Sequence, residues 1–289
     1  MTRQNTTVNS MTGKTVLVTG ATNGIGFITA HELAKMGATV LMVARDQTKG
    51  RAKLEEIRQA VPQAKLELML CDLSSMASIR QLATNLTAKY SSLDVLVNNA
   101  GAFYSERQVS KDGLEMTFAL NHIGYFLLTN LLLETLKRTK NSRIVSVSSG
   151  AHLSGKMNFD DLQFEKKFNG WQAYSDSKLA NVLFTKELSR RLAGTGVTAN
   201  CLHPGFVKTG FANGSSGFLG LALNLAKNIL AITPEKGAET MIYLSSSQEV
   251  ANVTGEYFDK KKIAKVNPQA LDSSISKRLW EVSEKLVEI

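Results

Sequence analysis

The feature that most constrains the fold of this chain is its alternation of short apolar runs with longer amphipathic patterns. Because parallel strands must be joined by crossover connections, this order predicts an α/β fold: a doubly wound parallel sheet of about seven strands with helices on both faces. The runs that predict strands are Thr15–Thr19, Thr39–Val43, Leu66–Leu70, Val95–Val97, Ile144–Val147, Val197–Leu202 and Glu256–Phe258. The patterns that predict helices are Ile25–Met36, Thr48–Ala60, Ser75–Lys89, Gly113–Lys137, Gln172–Ala193, Glu235–Leu244 and Pro268–Leu286.

Nothing in the composition divides the chain into separate domains. It has 289 residues and four prolines, and no Pro- or Gly-rich linker interrupts it. We therefore expect one domain over residues 13–289, preceded by a disordered tail over residues 1–12. The stretch Met1–Ser10 is polar and lacks the apolar core of a signal peptide, so it predicts neither secretion nor an anchor.

The net charge of +9 raises nucleic acid as a partner. The basic residues are spread along the chain among acidic ones, and the longest basic run is Lys260–Lys262. This dispersion favours a solvated surface over a nucleic-acid site. The four histidines and two cysteines lack the spacing of metal ligands, so no metal is expected. Two cysteines without a CxxC partner fit a reducing compartment, and we expect a cytoplasmic protein.

The most apolar stretch is Ser215–Ile232. It is shorter than the roughly 20 residues that span a bilayer, and it contains Asn224, Lys227 and Asn228. No transmembrane segment is therefore expected. Two interpretations remain open, a helix over a pocket and a helix in peripheral contact with a membrane.

A glycine-rich loop lies between the first predicted strand and the first predicted helix. Glycines there permit a tight turn and close backbone approach to a pyrophosphate, and the helix N-terminus offers free N–H groups. An ordinary glycine turn is the competing interpretation, which the placement disfavours. The loop residues expected to contact a nucleotide are Gly20, Thr22, Asn23, Gly24, Ile25 and Gly26.

The loop has the spacing TGxxxGxG, and further ordered motifs follow it. They are Asp72 after the third strand, the NNAG of 98–101, Asn121, the serine pair Ser148 and Ser149, the YxxxK of Tyr174 and Lys178, and the PGFVKT of 204–209. Together they resemble the short-chain dehydrogenase/reductase family. The resemblance implies a single-domain Rossmann fold and a nicotinamide cofactor.

The same resemblance implies roles for individual residues. Tyr174 is the general acid or base, Lys178 lowers the pKa of Tyr174 and holds the ribose, and Ser149 polarises the substrate oxygen. Asn121 organises a water that links Lys178 to solvent. Beyond the glycine loop, the implied cofactor-binding residues are Asp72, Leu73, Asn98, Ala100, Gly101, Tyr174, Lys178, Pro204, Gly205, Val207 and Thr209.

The tyrosine and lysine are four residues apart, so they share one face of a helix. A free phenol has a pKa of about 10 and is a poor acid–base catalyst at neutral pH, and a nearby ammonium would lower that value. The two serines before them leave one ambiguity. Family alignment favours Ser149, and a contribution from Ser148 stays open.

Cofactor choice is expected at the end of the second strand. An acidic residue there binds the 2′-hydroxyl of NAD and repels a 2′-phosphate. This chain has Ala44 followed by Arg45, whose guanidinium can pair with a phosphate. NADP(H) is therefore favoured over NAD.

The long interval between Ser149 and Tyr174 is similar to the retinol dehydrogenase-like branch of the family. That resemblance implies a small apolar carbonyl or alcohol substrate, such as a retinal-like aldehyde or a ketone, with residues 208–235 as a substrate lid. The resemblance to the wider family makes a homodimer or homotetramer possible, although the retinol dehydrogenase-like branch is less uniform in assembly. Two alternatives remain: a catalytically weak NADP(H)-sensing protein, and a protochlorophyllide-reductase-like enzyme that reduces a conjugated double bond.

Overall fold

A single mixed sheet runs through the computed structural model, which describes residues 10–205 and 232–289. Its order is β3-β2-β1-β4-β5-β6-β7-β8, with the first seven strands parallel and the last antiparallel. The strands are β1 Thr15–Thr19, β2 Thr39–Ala44, β3 Lys65–Leu70, β4 Val95–Asn98, β5 Arg143–Val147, β6 Thr198–His203, β7 Tyr257–Asp259 and β8 Lys262–Ile263. The expectation of a doubly wound parallel sheet is confirmed.

Helices cover both faces of the sheet. They are α1 Gly24–Lys35, α2 Gln47–Ala60, α3 Met76–Lys89, α4 Gly124–Lys137, α5 Gly170–Arg191, α6 Pro234–Ser246 and α7 Ser273–Val287. Several begin at a side chain that accepts a hydrogen bond from the first turn, such as Asp46 before α2 and Ser75 before α3. These caps satisfy amide groups that a helix leaves without a partner at its N-terminus.

Alternate residues of each strand face opposite sides, and this produces two cores. Leu17 and Leu41 lie in the core covered by α3, α4, α5 and α7, whereas Val16 and Val40 lie in the core covered by α1, α2 and α6. All four side chains are fully buried. Burial of each such side chain stabilises the fold by roughly 1.5–3 kcal/mol, so both faces must stay covered.

The C-terminal region differs from the sequence-based expectation in two places. Lys260 and Lys261 both adopt left-handed backbone conformations, and they turn the chain into the short antiparallel strand β8. The expected helix over Pro268–Leu286 begins instead as a separate 3-10 turn, Pro268–Leu271. It is interrupted because Asp272 is extended and its carboxylate caps α7 by accepting from the Ser274 amide.

A continuous helical run, Met116–Lys137, is long and apolar enough to cross a membrane by length and composition. In its most apolar window, however, 72% is buried inside the protein. Leu127, Leu128 and Leu132 are fully buried in the core. Burial of this kind is what a core helix of the α/β fold shows, and the run includes α4.

Candidate active site

A cavity of about 790 Å³ opens where the strands end. It lies at the carboxyl edge of the parallel sheet, beside the switch in strand order between β1 and β4, which is where ligands bind in open α/β sheets. The residues with a sequence-predicted role that line it are Gly20, Thr22, Asn23, Gly24, Ile25, Arg45, Asp72, Leu73, Ala100, Gly101, Ser149, Tyr174, Lys178, Pro204 and Gly205.

The glycine loop is pressed against the loop after β4. Gly20 and Gly24 have φ of +64° and +53°, in the left-handed region that glycine adopts without strain. A Cβ on Gly20 would lie 3.0 Å from the Cα atom of Ala100. A Cβ on Gly26 would collide with the Gly20 carbonyl and the Asn99 side chain, so Gly26 lies behind the cavity wall and permits close packing.

Asn98 and Asn99 have different surroundings. Asn98 is fully buried and donates to the Thr129 hydroxyl at 3.0 Å, so its side chain turns into the core and not into the cavity. Asn99 lines the cavity and donates to the Thr19 carbonyl at 2.8 Å. Because successive side chains at a strand end point to opposite faces, one asparagine braces the glycine loop and the other anchors β4. The bracing role of Asn99 is absent from the sequence-based expectations.

The far end of the cavity holds Arg45 and Asp72. Arg45 is exposed and follows the buried Ala44, as the sequence predicts. The neighbouring Asp46 caps α2, and its carboxylate accepts from the Lys49 amide at 2.9 Å. Asp72 Oδ1 accepts from both the amide and the hydroxyl of Ser74, which fixes the carboxylate at the cavity wall.

Tyr174 and Lys178 come together on α5, at the opposite end of the cavity. Both are buried, and the Lys178 Nζ atom lies 5.6 Å from the centre of the Tyr174 ring. Nζ also donates to the Val147 carbonyl at 3.2 Å, which ties the lysine to the end of β5. Burial lowers the pKa of Lys178 to about 7.

The electrostatics of Tyr174 differ from the expectation that Lys178 lowers the pKa of this phenol. Burial raises the pKa of Tyr174 to about 12, and the hydrogen bond between the Ser149 and Tyr174 side chains acts in the opposite direction. Desolvation of the phenolate therefore dominates among the protein's own groups. At neutral pH the phenol holds its proton.

The two serines after β5 are distinguished by their hydrogen bonds. Ser148 is buried, and its hydroxyl donates to the Lys178 carbonyl at 2.7 Å, inside helix α5. The Ser149 hydroxyl faces Tyr174 and accepts from the Ala151 amide at 3.2 Å. Ser149 is thus the serine whose hydroxyl is directed at the phenol.

Asn121 lies in a π-helical turn, Ala119–Ile123, directly before α4. Its side chain pairs with both backbone groups of one residue: Oδ1 accepts from the Ala102 amide at 2.9 Å, and Nδ2 donates to the Ala102 carbonyl at 3.0 Å. Nδ2 also donates to the Ser177 hydroxyl. π-helical turns are frequent at functional sites. Here the turn aims a fully buried amide at the backbone that follows the NNAG segment.

Apolar and aromatic side chains surround Tyr174 on its cavity side. The Phe103 ring meets Tyr174 edge-on with centroids 6.0 Å apart, and the Trp171 ring lies 6.1 Å away. Leu120 also lines the cavity, and Trp171 is 43% exposed. None of these residues belongs to a recognised motif, although Trp171 stands three positions before Tyr174 on the same helix and so could have been placed on its face.

His203 also lines the cavity, and its Nδ1 atom accepts from the Gly150 amide at 3.1 Å. Among the predicted residues, Val207 and Thr209 lie outside the described ranges, as do most of the expected lid and the first nine residues. Across residues 10–205 and 232–289, no cluster of three or more His, Cys, Asp or Glu side chains is arranged to hold a metal ion.

Comparisons with known proteins agree with this geometry. A profile of the short chain dehydrogenase family matches residues 14–217. Retinol dehydrogenase 14 of Mus musculus is 44% identical over 291 residues, which cover 96% of this chain and 87% of the relative. The crystal structure of an uncharacterized protein from Mycobacterium paratuberculosis aligns with a TM-score of 0.79 and 34% identity, over 97% of this chain and 96% of that one.

A complex of Pseudomonas aeruginosa RhlG with NADP aligns with a TM-score of 0.69 and 25% identity, over 86% of this chain and 96% of that one. The matched family is one of oxidoreductases that bind a nicotinamide cofactor. The profile covers well over half of the chain, and the mouse relative spans nearly all of it. The chain therefore belongs to the short-chain dehydrogenase family, in its retinol dehydrogenase-like branch.

Proposed function

We propose that this protein is an NADP(H)-dependent oxidoreductase that interconverts an apolar carbonyl compound and its alcohol. The observation that carries the proposal is the sharing of one cavity by the glycine loop, Arg45, Ser149, Tyr174 and Lys178. A nucleotide cradle and a buried acid–base pair thus open onto the same space. The arrangement supports chemistry at the end of a bound dinucleotide.

Features of the cavity support a dinucleotide with a 2′-phosphate as the cofactor. Gly20 lies so close to the Ala100 Cα atom that a side chain there would be crowded, and its bare backbone can approach the expected pyrophosphate. Arg45 is exposed at the end expected to hold adenosine, and the RhlG structure is an NADP complex. We assign the predicted lining residues to the cofactor, with Val207 and Thr209 completing the site, and give Gly26 and Asn98 supporting roles. When bound, the nicotinamide supplies or accepts the hydride.

The protein's own part in the reaction is proton transfer. In the reductive direction Tyr174 donates its proton to the substrate oxygen while the carbonyl carbon receives the hydride, and Ser149 donates a hydrogen bond to the same oxygen. The raised pKa of Tyr174 keeps the phenol in the acid form that reduction requires. Lys178, with a pKa of about 7, can return a proton to the phenolate at neutral pH. Asn121 holds the Ala102 backbone beside this pair.

The wall around Tyr174 supports the proposed substrate class. Phe103, Leu120 and Trp171 present apolar surface next to the proton donor, and the mouse relative is named a retinol dehydrogenase. We infer an aldehyde or ketone with a large apolar group, retinal-like in character, and reduction as the working direction. The rest of the proposal comprises one domain over residues 13–289, a lid over residues 208–235, a homodimer or homotetramer, and a cytoplasmic location. The buried, unpaired thiols of Cys71 and Cys201 are consistent with that location.

The test is NADPH oxidation by the purified protein against a panel of aldehydes, ketones and quinones that includes all-trans-retinal. Turnover of apolar carbonyls is expected, and Tyr174→Phe should abolish it while NADPH binding, followed by nucleotide fluorescence, survives. Tight NADPH binding with no turnover across the panel would point to a nucleotide-sensing protein instead. Full activity of Tyr174→Phe would remove the proton-transfer role.

A further inference from the structure

The turn after Ser149 is held by a residue more than a hundred positions further along the chain. We propose that Asn267 is a positioning residue for the Ser149 hydroxyl. The proposal rests on the proposed function in one respect, since it takes Ser149 as the group that contacts the substrate oxygen. Asn267 lies directly before the 3-10 turn Pro268–Leu271 and is 5% exposed.

One amide group makes the connection. Asn267 Nδ2 donates to the carbonyls of His152 at 3.1 Å, Leu153 at 3.1 Å and Gly155 at 2.9 Å. These carbonyls lie at the end of the 3-10 turn Gly150–Ser154, where a helical turn leaves its last carbonyls short of backbone partners. The His152 carbonyl also accepts from the Gly155 amide at 3.1 Å. Asn267 Oδ1 accepts from the Gln269 amide at 2.9 Å, so the orientation of the amide is fixed from both ends.

The same turn sets the position of Ser149. The Ser149 hydroxyl accepts from the Ala151 amide, and the Ser149 carbonyl accepts from the His152 amide at 3.1 Å and from His152 Nδ1 at 2.7 Å. The His152 ring is fully buried against Tyr257, with centroids 4.4 Å apart. A shift of the turn therefore shifts the hydroxyl that faces Tyr174.

The far end of the turn is seated on the helix that carries Tyr174. Gly155 packs so closely that a Cβ would lie 2.7 Å from the Ser175 carbonyl and 2.8 Å from Leu179 Cβ. The Lys156 amide donates to Asp176 Oδ1 at 2.7 Å. The turn thus bridges Ser149 and α5. Asn267 clamps this bridge from the outside, so it controls the spacing between the serine hydroxyl and the phenol.

The experiment compares Asn267→Asp and Asn267→Ala with wild-type protein. Aspartate keeps the shape of the side chain but cannot donate to the three carbonyls. Asn200→Asp is the matched control: Asn200 is also 5% exposed, and its amide also bridges backbone groups, donating to the Val253 carbonyl and accepting from the Glu256 amide. NADPH reduction of all-trans-retinal gives kcat and KM, and amide hydrogen exchange reports on the turn.

We expect kcat to fall about 10- to 100-fold in both Asn267 variants, because sub-ångström placement of reacting groups governs the rate. KM for the aldehyde and Kd for NADPH should stay unchanged. Adding Ser149→Ala should cause little further loss, because both substitutions remove the same interaction. Exchange at the Ala151 and His152 amides should accelerate, while Asn200→Asp leaves kcat and these amides unchanged.

A fall in kcat that adds fully to that of Ser149→Ala would overturn the proposal, as would unchanged kcat in the Asn267 variants. If the wild-type protein reduces no carbonyl compound, the proposed function fails, and amide hydrogen exchange alone tests whether Asn267 holds the turn. Faster exchange at Ala151 and His152 in Asn267→Asp then supports the clamp, and unchanged exchange refutes it.

Discussion

Burial of the Lys178 amine should make the stability of this protein depend on pH in a way that one substitution removes. The side chain is 2% exposed, and burial lowers its pKa from 10.5 to about 7. Since one pKa unit corresponds to about 1.4 kcal/mol, a fall of this size is a cost on the order of 5 kcal/mol for keeping the charged amine buried. Lys178→Met keeps the length of the side chain and removes the charge.

The sign follows from proton binding. The pKa is lower in the folded state, so the unfolded chain binds more protons between pH 7 and 10.5, and the free energy of unfolding rises with pH across that window. This contribution is complete above 10.5 and is lost as the pH falls through about 7. Lys178→Met should therefore be more stable than wild type at low pH. Its advantage should shrink by about 3 kcal/mol between about pH 6 and about pH 9.

Urea unfolding followed by tryptophan fluorescence, at several pH values and without added nucleotide, measures this difference. Lys186→Met is the matched control for removing a lysine from α5, because Lys186 donates to the Gly255 carbonyl from a partly buried position away from the cavity. The pH-dependent part is the difference between the two variants. A constant difference across the window would refute the reasoning, since it would mean that Lys178 keeps its charge at no cost when buried.

Three further outcomes are expected at the cavity. Arg45→Ala should raise the apparent KM for NADPH far more than that for NADH. Equal effects on both would refute the assignment of Arg45 to the 2′-phosphate. Because the pKa of Tyr174 is about 12, kcat for carbonyl reduction should stay constant across neutral and mildly alkaline pH. The rate of alcohol oxidation should rise with pH as the phenolate forms, and a rate that falls as the pH rises would contradict this. Trp171→Ala should lower kcat/KM for retinal about tenfold and leave that for a short aliphatic aldehyde nearly unchanged, in line with the loss of a large apolar contact. A uniform loss for both aldehydes would argue against a substrate-facing indole.

Much of the fold could be predicted because the spacing of apolar residues and the residues that end each segment indicate the same helices and strands. The strand over Thr15–Thr19 has the bounds that its apolar run predicts, both boundaries of α1 shift by one residue, and α3 begins one residue later than predicted. The strand β8 escaped prediction because it is two residues long and depends on left-handed lysines. Such local conformations depend on tertiary contacts, which no window of residues contains.

The sequence predicted which residues form the candidate site better than it predicted their pKa values. Motif order identifies Ser149, Tyr174 and Lys178, and the structure brings these residues together. What spacing along a helix cannot reveal is desolvation, which is the largest influence on the pKa of Tyr174. The contribution of Asn99 was likewise hidden, because strand-end orientation is a property of the folded chain. Helical spacing could have placed Trp171 on the face of Tyr174, but not its exposure.

The strand order has a consequence for how this protein can change. The residues proposed to bind the adenosine end of the nucleotide, Arg45 and Asp72, follow β2 and β3 on one side of the switch, whereas Ser149 and His203 follow β5 or end β6 on the other. The loop after β4 borders both. The proposed roles in cofactor choice and in proton transfer therefore fall on separate stretches of the chain. Substitutions in the first quarter of the chain could then change nucleotide preference without altering Ser149, Tyr174 or Lys178.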